Sequence, residues 1–179
     1  NWKFLIENFI EPYHVQFVHK TTTNQPLRDH YTFVDGKCYG SGVDVEQEDE
    51  KNSSALSVTS RYLSLFPNFI MGTYFPNQVG VYLNIPISPG ITSQKRIIYT
   101  VDNKVMTKKE IRSIKDIWWS VHKEDHEMCE RLQEGRSSPA SNNGGLLSPV
   151  WEKGVQAFQK LIINSIKRSF KITRRVKNV

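Results

Sequence analysis

Apolar residues recur three and four positions apart at the start of the chain (Trp2, Leu5, Ile6, Phe9, Ile10, Tyr13), the pattern of one buried helix face, and Pro12 interrupts that helix near its end. From Tyr31 the period changes. Short stretches with alternation or a high β-branched and aromatic content occupy residues 31–34, 37–45, 55–62, 69–75, 79–85 and 95–101. Gly36, residues 49–53, Pro67-Asn68, Pro76-Asn77 and residues 86–90 punctuate them as turns, so the middle of the chain predicts an antiparallel sheet with hairpin connections. Thr107-Lys108-Lys109-Glu110 then fits a capping box, and Ile111, Ile114, Ile117, Trp118, Val121, Met128 and Leu132 carry a helical stripe to Gly135. That is a helix of about 25 residues. Residues 136–145 read as a loop, and a last helix runs from about Pro149 through Val155, Phe158, Leu161, Ile162 and Ile166. The order helix, sheet, long helix, helix, with no internal repeat, predicts an α+β domain whose helices cover one face of the sheet.

The length of 179 residues and 38% hydrophobic content suit one globular domain spanning residues 1–179. The net charge of +6 suggests nucleic acid until it is located. Lys167, Arg168, Lys171, Arg174, Arg175 and Lys177 account for all of it, in a segment without acids, so the rest of the chain is balanced. The run is read as a solvated helix end and tail, not as a phosphate-binding patch, and no nucleic-acid partner is expected. Cys38 and Cys129 alone exclude a disulfide framework and suit a reducing compartment. No apolar run reaches the roughly 20 residues of a membrane span and no signal peptide is visible, so the expectation is a cytoplasmic protein with no membrane partner. Asn52-Ser53-Ser54 fits a glycosylation sequon, which in that compartment is a chance match. The chain opens without an initiator Met and reads as a fragment of a longer protein.

Candidate chemistry concentrates in Glu11-Pro12-Tyr13-His14 and His19. At about 100° per residue, His14 and His19 would lie roughly 140° apart on a regular helix, so they converge on one ion only where the helix is bent or interrupted. They read as part of a metal site, whose next ligand would have to come from elsewhere. The second cluster, His122-Lys123-Glu124-Asp125-His126 on the long helix, offers Asp125. Two imidazoles and one carboxylate suit non-haem iron(II), with zinc as the rival for the same set. Simpler readings apply to the other candidates: His30, His122 and His126 as surface or satisfied core residues, Gln133 as a solvated side chain, and Cys129 as a buried thiol.

Several separate elements, in order, carry a resemblance: Asn1-Trp2-Lys3, Glu7-Asn8, Glu11-x-Tyr13-His14-x4-His19, then Glu124-Asp125 with Cys129-Glu130, Gln133 and Gly135. The chain resembles the catalytic domain of Rieske-type ring-hydroxylating oxygenase α subunits over nearly its whole length. The resemblance implies a helix-grip α+β fold with a curved antiparallel sheet around a long helix. It implies a mononuclear Fe(2+) held by His14, His19 and Asp125, with Glu11 as the acidic electron-transfer bridge to the Rieske cluster of a neighbouring subunit. Asn8 and Tyr13 are placed near the site. The implied partners are a Rieske domain of the same or a neighbouring subunit, a reductase or ferredoxin, a homotrimer, a small-molecule substrate and O2. The family pattern more often has Asp at the bridge, and Glu11 resembles the branch acting on quaternary ammonium compounds. A Rieske [2Fe–2S] centre needs Cys-x-His and Cys-x-x-His pairs, and neither Cys38-Tyr39-Gly40 nor Cys129-Glu130-Arg131-Leu132 provides one. The cluster must therefore come from outside these residues, or turnover has been lost. Tyr62, Phe66, Phe69, Tyr74, Phe75 and Tyr82 supply aromatic surface for a flat hydrocarbon or a quaternary ammonium group. The alternative from another class is a non-catalytic helix-grip module that binds an apolar ligand.

Overall fold

The computed structural model describes residues 1–20, 22–23, 25–44, 59–74, 77–101 and 105–176, with backbone only for 171–176. Two short helices, α1 (Trp2–Ile10) and α2 (Tyr13–Val18), precede six strands: β1 (His30–Asp35), β2 (Cys38–Val43), β3 (Ser60–Leu65), β4 (Phe69–Tyr74), β5 (Gln78–Ser88) and β6 (Ile91–Thr100). Two longer helices follow, α3 (Lys108–Ser137) and α4 (Lys153–Val176). The strands pair antiparallel in chain order, β1-β2-β3-β4-β5-β6, so the α+β arrangement expected from the sequence is the one observed. No helix among the described residues is long and apolar enough to cross a membrane.

Local chemistry accounts for several element ends. Thr107 and Glu110 form the expected capping box, with the Glu110 N–H donating to Thr107 Oγ1 at 3.3 Å and the Thr107 N–H donating to Glu110 Oε2 at 2.8 Å. Gly36, at φ 57°, makes the tight β1–β2 turn, a conformation that costs glycine nothing. The expected strand at 55–62 begins later, at Ser60, and residues 55–58 lie outside the described residues, as do Phe75, the 49–53 turn and the 52–54 sequon. The turn expected at 86–90 is shorter than that. β5 continues to Ser88 through an irregularity at Pro86, and β6 begins at Ile91. Pro86 cannot donate a ladder hydrogen bond, and a break in register is where a strand tolerates that.

The core lies between the sheet, α1 and the first half of α4. Ile6 and Ile10 of α1 meet Tyr39, Ile70 and Tyr82 from the sheet and Val155 and Phe158 from α4. Trp2 packs edge-on to Phe158 and Phe9 edge-on to Tyr62. α3 lies against α1, placing Cys129 Sγ 3.9 Å from the Phe4 carbonyl, and reaches the sheet through Trp118, whose Nε1 donates to Gln78 at 2.7 Å.

On the inner face, register builds an aromatic wall. Gly72 pairs with Gly80, and a Cβ on either would overlap the hydroxyl of Tyr74 or Tyr82. The two phenols therefore lie over the glycines from opposite sides and meet at 3.2 Å. Only glycine lets side chains lie so close to the strand backbone.

His30 departs from the expected satisfied histidine: it is buried, and neither ring nitrogen has a hydrogen-bond partner among the described residues. Burial first, then the nearby His14, lowers its pKa to about 4, with Asp29 acting the other way. Between pH 6.5 and about 4 the unfolded chain therefore binds the extra proton, so this contribution to stability is lost as pH falls through that window. The expected result is that wild type loses ~1–3 kcal/mol more than His30→Leu between pH 7 and 4.5, measured by urea unfolding. Equal losses would show that His30 is not buried as a neutral ring.

Candidate metal centre

His14 occupies the first turn of α2 and His19 is the residue that ends it. Pro12 cannot extend α1 and stands at the N-cap of α2; Glu11 Oε2 accepts the backbone N–H of Tyr13 and, at 3.2 Å, that of His14. His19 turns out of the helical path (φ −92°, ψ 35°) while its N–H still bonds the Val15 carbonyl at 3.1 Å. This is the interruption that the five-residue spacing requires. The rings stand 5.1 Å apart at 77°.

Asp125 comes from the other side. Trp118, Val121, Asp125 and Cys129 recur at helical spacing and form the inward stripe of α3, with one carboxylate among apolar residues. Its Oδ1 lies 3.1 Å from His19 Nε2 and 3.6 Å from His14 Nε2, and accepts from Asn8 Nδ2 at 2.9 Å. One donor atom from each of His14, His19 and Asp125 lies within 4.8 Å of the others.

The outer nitrogens of both rings are fixed by acids. Glu11 Oε1 is 2.7 Å from His14 Nδ1, and Glu124 Oε2 is 2.7 Å from His19 Nδ1. An ionised carboxylate only accepts, so each Nδ1 carries a proton and each ring faces Asp125 with Nε2: in the neutral ring that nitrogen carries the lone pair a metal would take, and in protonated His19 it donates to Asp125 Oδ1 at 3.1 Å. The Thr22 hydroxyl donates to the same Glu124 oxygen at 2.8 Å. Burial alone would raise the Asp125 carboxyl, but the His19 hydrogen bond, the two imidazoles and the Asn8 amide outweigh it and hold it below the ordinary range. Burial likewise works against a charged His19, and the bonds and charges of Asp125 and Glu124 reverse the balance, leaving its pKa raised.

A cavity of about 70 Å³ opens beside the three residues, lined by Phe9, Tyr62, Tyr74, Tyr82, Trp118 and Arg96 among others. Tyr74 and Trp118 approach to 4.2 Å between ring centroids. Burial lifts Tyr62 to about 12 and Tyr74 well above its usual value, so these walls are uncharged phenols. Asn8 is buried and also lines the cavity, whereas the Tyr13 side chain faces an outer groove and is 38% exposed. His122 packs against Trp119, and His126 is exposed beside Glu130; neither joins the cluster. Sequence reasoning did not single out Glu124, Trp118 and Arg96 as parts of this site. Adjacency to Asp125 was the available signal for Glu124; for Arg96 it was a lone charge on the inward half of a strand.

The sequence model of the family described as ring hydroxylating alpha subunit (catalytic domain) matches residues 1–167. The chain is 28% identical over 162 residues to the chloroplastic choline monooxygenase of Amaranthus tricolor, covering 88% of this chain and 36% of that protein. With the Spinacia oleracea choline monooxygenase it shares 25% over 171 residues, 93% and 38% of the two. A solved structure of the quaternary ammonium Rieske monooxygenase CntA with L-carnitine aligns at TM-score 0.70 and 20% identity, covering 90% of this chain and 44% of that one. CntA with an inhibitor gives 0.71 and 18%, with 90% and 45% covered. The chain thus spans between 36% and 45% of the length of these relatives.

Because His19 is raised, its contribution to stability is complete below about pH 6.5 and is lost as pH rises through the higher folded value. Glu124→Ala in metal-free protein is therefore expected to cost ~1–3 kcal/mol at pH 6 and less at pH 9 by chemical denaturation. A cost that stays constant or grows toward pH 9 would contradict the pairing.

Proposed function

Because this chain belongs to the ring-hydroxylating α-subunit family through the catalytic domain, we propose that it is the oxygen-activating part of a Rieske-type oxygenase, with a mononuclear iron(II) held by His14, His19 and Asp125. The observation that carries this reading is the convergence of two Nε2 atoms on one carboxylate oxygen at 3.1 and 3.6 Å. Neighbouring ligands at right angles on one ion, with bonds of about 2.1 Å, stand roughly 3 Å apart, so the donor set fits. Iron bound there would supply binding and reduction of O2 and transfer of oxygen to a substrate in the adjoining cavity. Its electrons would come from a [2Fe–2S] Rieske domain outside these residues, in the same or a neighbouring subunit of a homotrimer, served by a reductase or ferredoxin.

Each residue has a defined task in this reading. Glu11 and Glu124 hold the two imidazoles in the tautomer that presents Nε2, and such partners typically change metal affinity or activity 10–100-fold when removed. Asn8 occupies part of the Asp125 oxygen and limits its rotation. Glu11 lines both the inner cavity and an outer groove that also contains Tyr13 and the exposed Phe17 and Leu132. That position, with one oxygen on His14, suits the bridge to a donor seated in the groove. The uncharged aromatic walls suit a quaternary ammonium group through cation–π contact, in line with what the choline monooxygenases and CntA are named for.

Asp125→Ala is expected to abolish iron retention after anaerobic loading and desalting, assayed by metal analysis, while wild type holds one iron per chain. A variant retaining stoichiometric iron would remove the assignment. Glu11→Gln should keep most of the iron and lose 10–100-fold in substrate oxidation coupled to a Rieske donor; an unchanged coupled rate would rule out the bridge. Metal-free protein carrying bound lipid would instead favour an apolar-ligand module.

A further inference from the structure

We propose that Arg96 binds a carboxylate on the substrate, so that the site selects a compound bearing an anionic group as well as its ammonium group. This rests on the quaternary-ammonium reading above and narrows it.

Arg96 pairs directly with Tyr82 across β5 and β6. On β6 the residues alternate between exposed and half-buried, and Arg96 belongs to the half-buried set with Gln94 and Ile98. Its guanidinium carbon lies 4.7 Å from the Tyr82 ring centroid. Its Nε donates to Gln94 Oε1, and Gln94 Nε2 donates in turn to Oδ1 of the fully buried Asn84 at 2.6 Å. The guanidinium is therefore oriented through its Nε and through stacking. Among the described residues no carboxylate pairs with it, and its two terminal nitrogens are left for a ligand. A planar fork pre-oriented in this way matches the two oxygens of a carboxylate.

Position and charge agree. Arg96, Tyr82 and Trp118 line both the inner cavity beside Asp125 and a second cavity of about 460 Å³ between β6 and α3. A substrate whose ammonium group lies against Tyr62, Tyr74 and Trp118 would thus extend its other end toward Arg96. Two neutral imidazoles and one carboxylate on a divalent ion leave a net positive centre, and Arg96 adds a second positive charge nearby. A purely cationic substrate meets that repulsion uncompensated, whereas a zwitterion replaces it with an ion pair at low dielectric. His122, lowered to about 4 by burial and by Arg96, adds no charge near neutral pH.

An inward charge on an edge strand can also serve to prevent edge-to-edge association. The two roles separate experimentally. Isothermal titration of the iron(II)-loaded chain under anaerobic conditions would use γ-butyrobetaine, choline and benzoate. The expected result is that γ-butyrobetaine binds at least about tenfold more tightly than choline, that Arg96→Gln removes the difference, and that Arg96→Lys keeps part of it. Circular dichroism melting of both variants confirms folding. Equal binding of γ-butyrobetaine and choline, unchanged in Arg96→Gln, would overturn the Arg96 assignment and leave the ammonium reading standing. Benzoate binding that depends on Arg96, with neither ammonium compound bound, would keep the carboxylate contact and overturn the ammonium reading. Aggregation of Arg96→Gln with ligand preference intact would assign Arg96 to edge protection, and failure of all three ligands to bind the parent would overturn the proposal.

Discussion

Asp125 sits in the apolar stripe of α3, between Val121 and Cys129, and its Oδ1 meets Asn8, His14 and His19 from the opposite end of the sequence. A largely buried carboxylate without partners would be strongly destabilising, and here all three partners come from the N-terminal segment. This oxygen therefore ties both N-terminal helices to the long helix, beside the Glu124 contacts with His19 and Thr22. That docking closes the cavity, because Phe9 beside Asn8 and Trp118 below Asp125 are fixed by the same contact.

Polarity around the centre is arranged in layers. Acids stand outside the imidazoles, at Glu11 and Glu124, and turn both Nε2 atoms inward. Within, phenols and an indole that carry no charge make up much of the cavity wall, with the Arg96 guanidinium beside them, and the Gly72–Gly80 pair lets Tyr74 and Tyr82 lie against the sheet. Glu11 has two functions in one side chain: it caps the start of α2 with Oε2 and orients His14 with Oε1. Capping holds the carboxylate in place, which makes it a well-defined link between the inner cavity and the outer groove.

Much of this was legible in the sequence because it is encoded locally. The Thr107 capping box, the helical stripe through Val121 and the Gly36 turn each act over a few residues, and the five-residue spacing of His14 and His19 required a helix end. The choice of Asp125 over other acids came from resemblance, since chain spacing does not say which carboxylate faces inward. Features that depend on cross-strand register were not legible. The start of β6, the glycine pair beneath the tyrosines and the placement of Arg96 opposite Tyr82 appear only once strands are paired. His30 was misread for a related reason, because its unpaired ring nitrogens result from packing.

The central claim is that iron(II) takes its protein ligands from two imidazoles and one carboxylate. Iron K-edge X-ray absorption of the anaerobically loaded chain tests it most directly. The expected spectrum shows only oxygen and nitrogen neighbours at about 2.1 Å, with outer-shell scattering from two imidazole rings. A sulfur neighbour at about 2.3 Å, or scattering from fewer or more than two imidazoles, would contradict it.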